Sequence, residues 1–328
     1  MEAGMRAVVI DGAGGPEVLS VQEVADPVRG DDEVLIDVVA AGLNRADVQQ
    51  RRGFYPPPVG ASPIPGLEVS GHVADPGTSA FHEGDAVVAL LAGGGYAEKV
   101  AVPSGQVVRA PEGVDLAEAA ALPETAATVW SNLVLQAGLA EGDDVLIHGA
   151  SGGIGVMAIQ VSLALGAVPH VTAGSEAKLG VARSLGVRTL INYREQDFVQ
   201  ELRTATAGRG ADVILDIVGA KYLARNVESL ATGGRLVVIG LQGGATAELD
   251  LGTLMGKRAS VAGTTLRARP VGEKTAIMAA VRDSVWPLVA SGGVQPFVDR
   301  VFPLEEVAEA HAYFDAGEHT GKILLSMR

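Results

Sequence analysis

The run Val145-Leu146-Ile147-His148-Gly149-Ala150-Ser151-Gly152-Gly153-Ile154-Gly155 decides the fold. Its first residues are apolar enough for a buried strand; a glycine-rich turn follows, and then an apolar stretch of helical length to 165. Strand, turn and helix in that order is the context a dinucleotide site requires. Ala150, Gly152 and Gly155 fall on its three spaced positions: a small residue for the tight turn, a glycine that admits a diphosphate to the backbone, and a glycine that lets helix close on strand. Ser151, Gly153 and Ile154 complete the turn, and the amides at the start of the helix face the anion. A turn that merely packs tightly would carry the same glycines; the ordered flanks favour the cofactor.

Downstream the pattern alternates. Strands are expected over 144–148, 169–172, 189–192, 213–217 and 235–239, and helices over 154–165, 176–185, 197–204 and 222–230, which makes an α/β, doubly wound parallel sheet of the Rossmann kind. The end of the second strand selects the nicotinamide cofactor, because NAD enzymes place a carboxylate there for the ribose hydroxyls. This chain has Val171-Thr172-Ala173-Gly174-Ser175 instead. Ser175 can donate to a 2'-phosphate and Lys178, on the first turn of the next helix, can supply charge, so NADPH is expected over NADH. Against this, Lys178 also reads as one more solvated lysine, and Glu176 lies nearby.

Upstream of Pro123 the text changes to short strand-like runs at 5–10, 18–24, 33–42 and 86–90, cut by Gly and Pro clusters. Pro56, Pro57, Pro58, Pro63 and Pro65 stiffen 54–65 into an ordered loop able to hold a side chain over a pocket. At the other end, a helix near 276–289 and a strand over 322–326 are expected to return and complete this first region. The formal charge of -14 works against nucleic acid and anionic lipid, so small molecules and other protomers are the expected partners. Cysteine is absent, which removes disulfides, thiolate ligands and cysteine nucleophiles. No leader-like segment or long uninterrupted apolar run is evident, giving the expectation of a soluble, cytoplasmic protein without membrane insertion.

Gly142-Asp143-Asp144-Val145-Leu146, Ala150-Ser151-Gly152-Gly153-Ile154-Gly155 and Gln160 together resemble the signature of the zinc-independent quinone oxidoreductase, or zeta-crystallin-like, branch of the medium-chain dehydrogenase/reductases. So do Gly12-Ala13-Gly14-Gly15-Pro16-Glu17-Val18-Leu19, Leu43-Asn44-Arg45-Ala46-Asp47, Arg51-Arg52-Gly53-Phe54-Tyr55-Pro56, Pro65-Gly66-Leu67-Glu68 and Gly321-Lys322-Ile323. Leu163 departs from the signature, which usually carries a basic or serine residue there. The resemblance implies a β-rich GroES-like catalytic domain from 1–122 and 266–328, a Rossmann NADPH-binding domain inserted at 123–265, and an active site in the cleft. It implies no catalytic metal, since Asn44 and Leu67 stand where zinc-dependent relatives carry a Cys and a His. It further implies that Thr128 meets the nicotinamide end, that Tyr193 lies near the adenosine, that Val218-Gly219 and Gly240-Leu241 line the ligand-facing edge, and that Lys322 reaches the cofactor from the tail. A strand-end lysine is otherwise solvated more often than not. Family members pair through the edge of the cofactor sheet, so a homodimer is expected, with 235–241 or 260–265 supplying the edge.

An ordinary ketone must be helped by a Lewis acid or proton donor as hydride arrives, whereas a quinone is reduced to a phenolate-like oxygen whose conjugate acid has a pKa of about 10. The expected activity is therefore metal-free hydride transfer from NADPH to a small quinone. The alternatives are NADPH-dependent reduction of an enone or enoyl thioester, for which Arg45, Arg51 and Arg52 offer charge, and NADPH binding without significant turnover. Tyr55 is the candidate to stack on or hydrogen-bond the acceptor, with a packed loop aromatic as its rival reading. Asn44 is the candidate to donate an amide to the acceptor oxygen or the nicotinamide ribose, with turn capping as its rival. Glu68 and Glu124 read either as supporting carboxylates or as buried acids bonded to backbone, and the six histidines show no paired metal spacing.

Overall fold

A computed structural model describes residues 4–327. They divide into two compact units, one comprising the chain to Ala127, Leu266–Ala290 and the chain from Pro296 onward, the other Thr128–Thr265 with Ser291–Gln295. Along the first unit run β1 (Gly4–Ile10), β2 (Leu19–Ala25), β3 (Glu33–Gly42), β4 (Glu68–Asp75), β5 (Ala86–Leu90), β6 (Lys99–Pro103) and β7 (Val107–Arg109). The second contributes β8 (Asp144–His148), β9 (Val168–Ala173), β10 (Thr189–Asn192), β11 (Ala211–Asp216), β12 (Leu230–Val238) and β13 (Ser260–Gly263). The returning tail adds β14 (Val298–Pro303) and β15 (Lys322–Ser326) to the first.

The first unit is organised around β3, whose Val34, Ile36, Val38 and Ala40 are buried while Asp37 is exposed, the two-residue period of a strand with one face on a core. β3 pairs antiparallel with β4, β6 and β15 in a sheet ordered β14-β15-β3-β4-β5-β7, and β1 pairs with β2 separately. Leu324 lies opposite Gly42 and Leu325 opposite Ala41. The last strand of the chain is thereby laid against the end of β3, immediately before Leu43 and Asn44. Val8, Ile36, Val69, Val87, Tyr96 and Leu325 belong to the core beneath.

The second unit is a parallel six-stranded sheet ordered β10-β9-β8-β11-β12-β13. Counted from β8 this is 3-2-1-4-5-6, the doubly wound order whose ligands bind beyond the carboxyl ends of the central strands. Val145, Leu146 and Ile147 of β8 are fully buried, as a strand covered on both faces must be. The helix Gly153–Ala164 packs down because Gly155 has no side chain: a Cβ there would lie 2.2 Å from the carbonyl oxygen of Gly149.

Three expectations change. β12 begins at Leu230 rather than 235, passing through Gly233 at φ +81°, where the glycine pair reads in sequence as a break. The helix expected near 276–289 is two, Val271–Ser284 and Trp286–Ala290, with Pro287 unable to donate the amide that would continue the first. The segment 235–241 cannot supply a sheet edge, because β12 is bonded on one side to β11 and on the other to β13; the edge is β13. Among the described residues no helix is long and apolar enough to cross a membrane.

Gly155→Ala should destabilise the second unit by at least about 2 kcal/mol, since the clash is with backbone, whereas Gly180→Ala should stabilise it by about 0.5–1 kcal/mol. At Gly180 a Cβ meets nothing within 4 Å and the residue lies inside the helix Glu176–Ser184. Urea unfolding of both variants checks the pair.

Candidate active and cofactor sites

In the second unit the turn after β8 is shaped by Gly149 at φ +81°, and the amides of Gly149 and Ala150 both donate to the Thr172 carbonyl at 3.1 Å. This ties the turn to β9. Gly152 then opens the helix Gly153–Ala164, and having no side chain it cannot cap the first-turn amides. A Cβ at Gly152 would meet only the Gly149 oxygen, at 3.9 Å. The turn is thus closed behind by Gly155 and open in front at Gly152, with uncapped amides facing the opening, which suits a diphosphate.

At the end of β9, Ser175 caps the helix Glu176–Ser184 by accepting the Lys178 amide at 3.4 Å, leaving its hydroxyl proton free to be donated. A Cβ on Gly174 would fall 2.6 Å from the Tyr193 hydroxyl and 3.3 Å from Nε of Arg194, so these two side chains lie across Gly174. Arg194 was not singled out from sequence; its place directly after Tyr193 at the end of β10 was the available signal. Glu176 pairs with Arg183 at 3.3 Å, a surface ion pair along the helix.

The loop after β11 is held from beneath. The fully buried Asp216 carboxylate accepts the amides of Val218 at 2.6 Å and Gly219 at 3.0 Å; burial raises its pKa, and these two amides oppose the rise. A Cβ on Gly219, at φ +79°, would lie 3.1 Å from both the Gly240 oxygen and Cδ2 of Leu241, so Val218-Gly219 and Gly240-Leu241 form one surface. His148 bridges Thr172 Oγ1 at 2.9 Å and Asn226 Oδ1 at 2.8 Å. Because that Asn226 oxygen only accepts, the ring carries its proton on Nε2, and burial pushes its pKa down to about 4. Thr128 is buried, its carbonyl accepting Asn132 Nδ2 at 2.7 Å.

In the first unit the β15–β3 pairing brings Lys322 to Asn44. The Lys322 ammonium, 5% exposed, has three donors and three partners: the Leu43 carbonyl at 2.7 Å, Asn44 Oδ1 at 2.7 Å and Glu68 Oε1 at 2.6 Å. It is therefore not a solvated strand-end lysine, and its protons are spent within its own unit. Asn44 Nδ2 donates to Glu68 Oε1 at 3.0 Å and to the Gly42 carbonyl at 3.3 Å. An ammonium can only donate and a carboxylate only accept, so the orientation of the amide is determined. Glu68 Oε2 takes the Glu124 amide at 2.9 Å.

Asn44 also starts the helix Arg45–Arg51, where Asp47 Oδ2 accepts its amide at 2.8 Å. Asp47 further accepts the Gly66 amide at 3.0 Å and the Tyr96 hydroxyl at 3.0 Å, and complete burial raises its pKa to about 6 against those bonds. Tyr55 is held by a different residue. Arg267 Nη1 donates to its carbonyl at 3.2 Å, and the guanidinium carbon lies 5.5 Å from its ring centre. Burial raises the Tyr55 pKa, Arg267 opposes the rise and Glu124 adds to it. Leu67, which the resemblance sets where zinc-dependent relatives carry a ligand, is a buried aliphatic. Tyr96 and Arg267 were missed as support for the site because each acts on segments remote in the chain; Asp47 was missed too, although its bond to the Asn44 amide three residues away was a local signal.

A family model for the alcohol dehydrogenase GroES-like domain matches residues 30–112, and one for zinc-binding dehydrogenase matches residues 153–281. The chain is 33% identical to the quinone oxidoreductase of Homo sapiens over 326 residues, covering 98% of this chain and 97% of that one. Among solved structures it is similar to a NAD-dependent alcohol dehydrogenase, with TM-score 0.86 and 32% identity over 99% of this chain and 100% of the other. It is also similar to Escherichia coli quinone oxidoreductase complexed with NADPH, with TM-score 0.84 and 29% identity over 98% and 99%.

The buried histidine generates a pH dependence. The folded-state pKa of His148 is near 4 against 6.5 for the free side chain, so on acidification the unfolded chain takes up this proton first. The stability it contributes is present above pH 6.5 and is lost as pH falls towards 4, at about 1.4 kcal/mol per pH unit. His311, pushed down to about 3 by burial and by Arg51, acts with the same sign. Asp47 acts with the opposite sign between about 6 and 3.8. Urea titrations between pH 7.5 and 4.5 should therefore show His148→Gln losing stability below pH 6 less steeply than wild type, by about 1.4 kcal/mol per unit.

Proposed function

This chain belongs to the quinone oxidoreductase branch of the medium-chain dehydrogenase/reductase superfamily, and from that premise we propose that it transfers hydride from NADPH to a small quinone without a catalytic metal. The observation that carries this reading is the locked Asn44 amide. Asn44 and Leu67 occupy the positions of two metal ligands, and the amide is held by Lys322 and Glu68 rather than left to ligate. An acceptor reduced in such a site must need little Lewis-acid help, and a quinone meets that condition.

NADPH, when bound, supplies the hydride; everything else falls to side chains and backbone. Ala150, Ser151, Gly152, Gly153, Ile154 and Gly155 form the diphosphate turn. Gly174, Ser175, Lys178 and Tyr193, joined by Arg194, take the 2'-phosphate end, with no carboxylate of β9 to repel it. Val218, Gly219, Gly240 and Leu241 line the edge held by Asp216, and Thr128 serves the nicotinamide end. Asn44 has both amide protons engaged, so its role is to accept, through the remaining lone pair of Oδ1, a hydrogen bond from a ribose hydroxyl. Lys322 acts on the cofactor through Asn44. Tyr55, whose raised pKa keeps its hydroxyl protonated through neutral pH, presents a ring face and a donor to the acceptor oxygen. The protein's work is then positioning and exclusion of water, and solvent can protonate the product.

A homodimer is part of the same reading. β13 is bonded on one side only, and the neighbouring helix Leu251–Lys257 buries none of its residues, exposing Leu251 at 61% and Met255 at 75% one turn apart. That edge and those side chains are the surface a second copy would cover.

Anaerobic oxidation followed at 340 nm tests the activity. Benzoquinones should turn over faster than enones, with kcat/KM for NADPH at least about tenfold that for NADH. Lys178→Ala and Arg194→Ala should each cut the NADPH value by about tenfold and leave NADH within about twofold. Faster turnover of enones would move the assignment to alkene reduction, and equal use of the two cofactors would remove the 2'-phosphate site.

A further inference from the structure

The loop 54–65 is held only in part by its own bonds, the Ala61 amide to the Pro58 carbonyl at 3.0 Å and the Ile64 amide to Ser62 Oγ at 3.2 Å. Its five prolines, Pro56, Pro57, Pro58, Pro63 and Pro65, offer carbonyls but no amide donors, and burial is confined to its end, where Ile64 packs on the core and Pro65 is buried, while Phe54 is exposed at 78% and Val59 fully exposed. Backbone bonds add to this at both ends: the Phe54 and Tyr55 amides donate to the Gln49 carbonyl at 2.9 and 3.2 Å, and the Gly94 and Tyr96 amides donate to the Ile64 and Pro65 carbonyls at 2.7 and 2.9 Å. The side-chain donors come from remote parts of the chain. Arg267 is 4% exposed and donates through three nitrogens to three segments: Nε to the Ala92 carbonyl at 2.8 Å, Nη1 to the Tyr55 carbonyl at 3.2 Å and Nη2 to Gln50 Oε1 at 2.7 Å. Gln50, so oriented, turns its Nε2 to the Pro63 carbonyl at 2.8 Å. Beside those backbone bonds, Arg267 adds a side-chain hold at Tyr55, near the start of the loop, and Gln50, which Arg267 holds, adds one at Pro63, near its end.

All three acceptors are neutral, two carbonyls and an amide oxygen. Burial accordingly lowers the pKa of Arg267, opposed by Asp47 and Tyr55. Lys274, also 4% exposed, donates to the Arg267 carbonyl at 3.3 Å and fixes the backbone from which the guanidinium reaches. A buried cation without a bonded anion is a costly choice where the task is only to fill space. A guanidinium does here what no other side chain does, spanning three fixed directions at once while laying its charge beside the Tyr55 ring.

We infer that Arg267, working with Gln50, is the positioning residue of the acceptor site: it clamps both ends of the loop 54–65 and so sets where Tyr55 stands. This rests on the reading that Tyr55 meets the acceptor. The clamp orders the loop before the acceptor arrives, and its effect appears in acceptor affinity rather than in cofactor affinity.

The test uses the full-length protein with Arg267→Lys, Gln50→Ala and Tyr55→Ala. Lysine keeps the charge and cannot span three acceptors; Gln50→Ala removes only the Pro63 half and covers the case in which Arg267→Lys fails to fold. Hydrogen exchange of the peptide covering 54–65 and steady-state constants for a benzoquinone and for NADPH are measured. Both clamp variants should exchange in that loop at least about fivefold faster and raise the quinone KM about tenfold, with the NADPH KM within about twofold of wild type. Unchanged exchange in the loop overturns the clamp whatever Tyr55 does. Faster exchange with an unchanged quinone KM, where Tyr55→Ala does raise it, overturns the link from clamp to acceptor. If Tyr55→Ala itself leaves the quinone constants unmoved, the Tyr55 reading fails first and takes this inference with it.

Discussion

The ion pair between Lys322 and Glu68 is the interaction on which the first unit's chemistry depends. Both groups are almost wholly out of water, and such a pair survives only if every donor and lone pair finds a partner. Here the accounting closes: the ammonium's remaining protons go to the Leu43 carbonyl and Asn44 Oδ1, and the carboxylate's other oxygen takes the Glu124 amide. Removing one member would leave a buried charge alone, a loss of about 3–5 kcal/mol. The pair is also a statement about topology, since Lys322 arrives on the last strand of the chain and Glu68 opens β4. Glu68 meets Asn44 through the pairing of β4 with β3, and Lys322 meets both only when β15 has found the end of β3.

The second unit solves a related problem differently. Its ligand-facing ends must expose backbone amides, and exposed amides need supports that do not cover them. Asp216 supports the loop after β11 from inside, using a carboxylate that accepts two amides while the outward surface of Val218 and Gly219 stays clear. His148, neutral and bridged between Thr172 and Asn226, joins the end of β8 to β9 and to the helix Leu223–Ser229. Behind the diphosphate turn the support is simple contact, Gly155 against the Gly149 carbonyl.

These contrasts explain what could be read from sequence. The strand, turn and helix around Gly152 were legible because their information is local: a short apolar run, glycines at fixed offsets and an apolar helix. The alternation of β9 to β11 with its helices was legible for the same reason, and β3, β5 and β15 fell where the patterns placed them. Local signals also misled, as when Gly233-Gly234 hid the start of β12 and the apolar run across 276–289 concealed the break between Ser284 and Trp286. Asn44 and Tyr55 could be nominated from their neighbours, but not their states. Whether Asn44 donates or accepts depends on Lys322, 278 positions away. What fixes the backbone of Tyr55 depends on Arg267, 212 positions away. Such partners are set by strand register and chain return, which no window of local sequence contains.

The direction of the Asn44 amide bears on the chemistry. A free asparagine beside a reacting carbonyl could donate to its oxygen and stabilise the charge that hydride transfer creates, a contribution available to any ketone. With both protons drawn away by Glu68 and Gly42, that contribution is withheld, and Asn44 is left as an acceptor. In the proposed reading the proton-bearing group that remains for the acceptor is the Tyr55 hydroxyl, half-buried on the proline loop. If hydride transfer takes place beside this group, as proposed, the site would discriminate by what it does not provide. Acceptors whose reduced oxygen is already stabilised by conjugation can react, and simple ketones, which need a strong donor or a Lewis acid at the moment of transfer, gain little from binding. Under the proposed function, the saturation of the Lys322–Glu68–Asn44 group is what would favour a quinone-like acceptor.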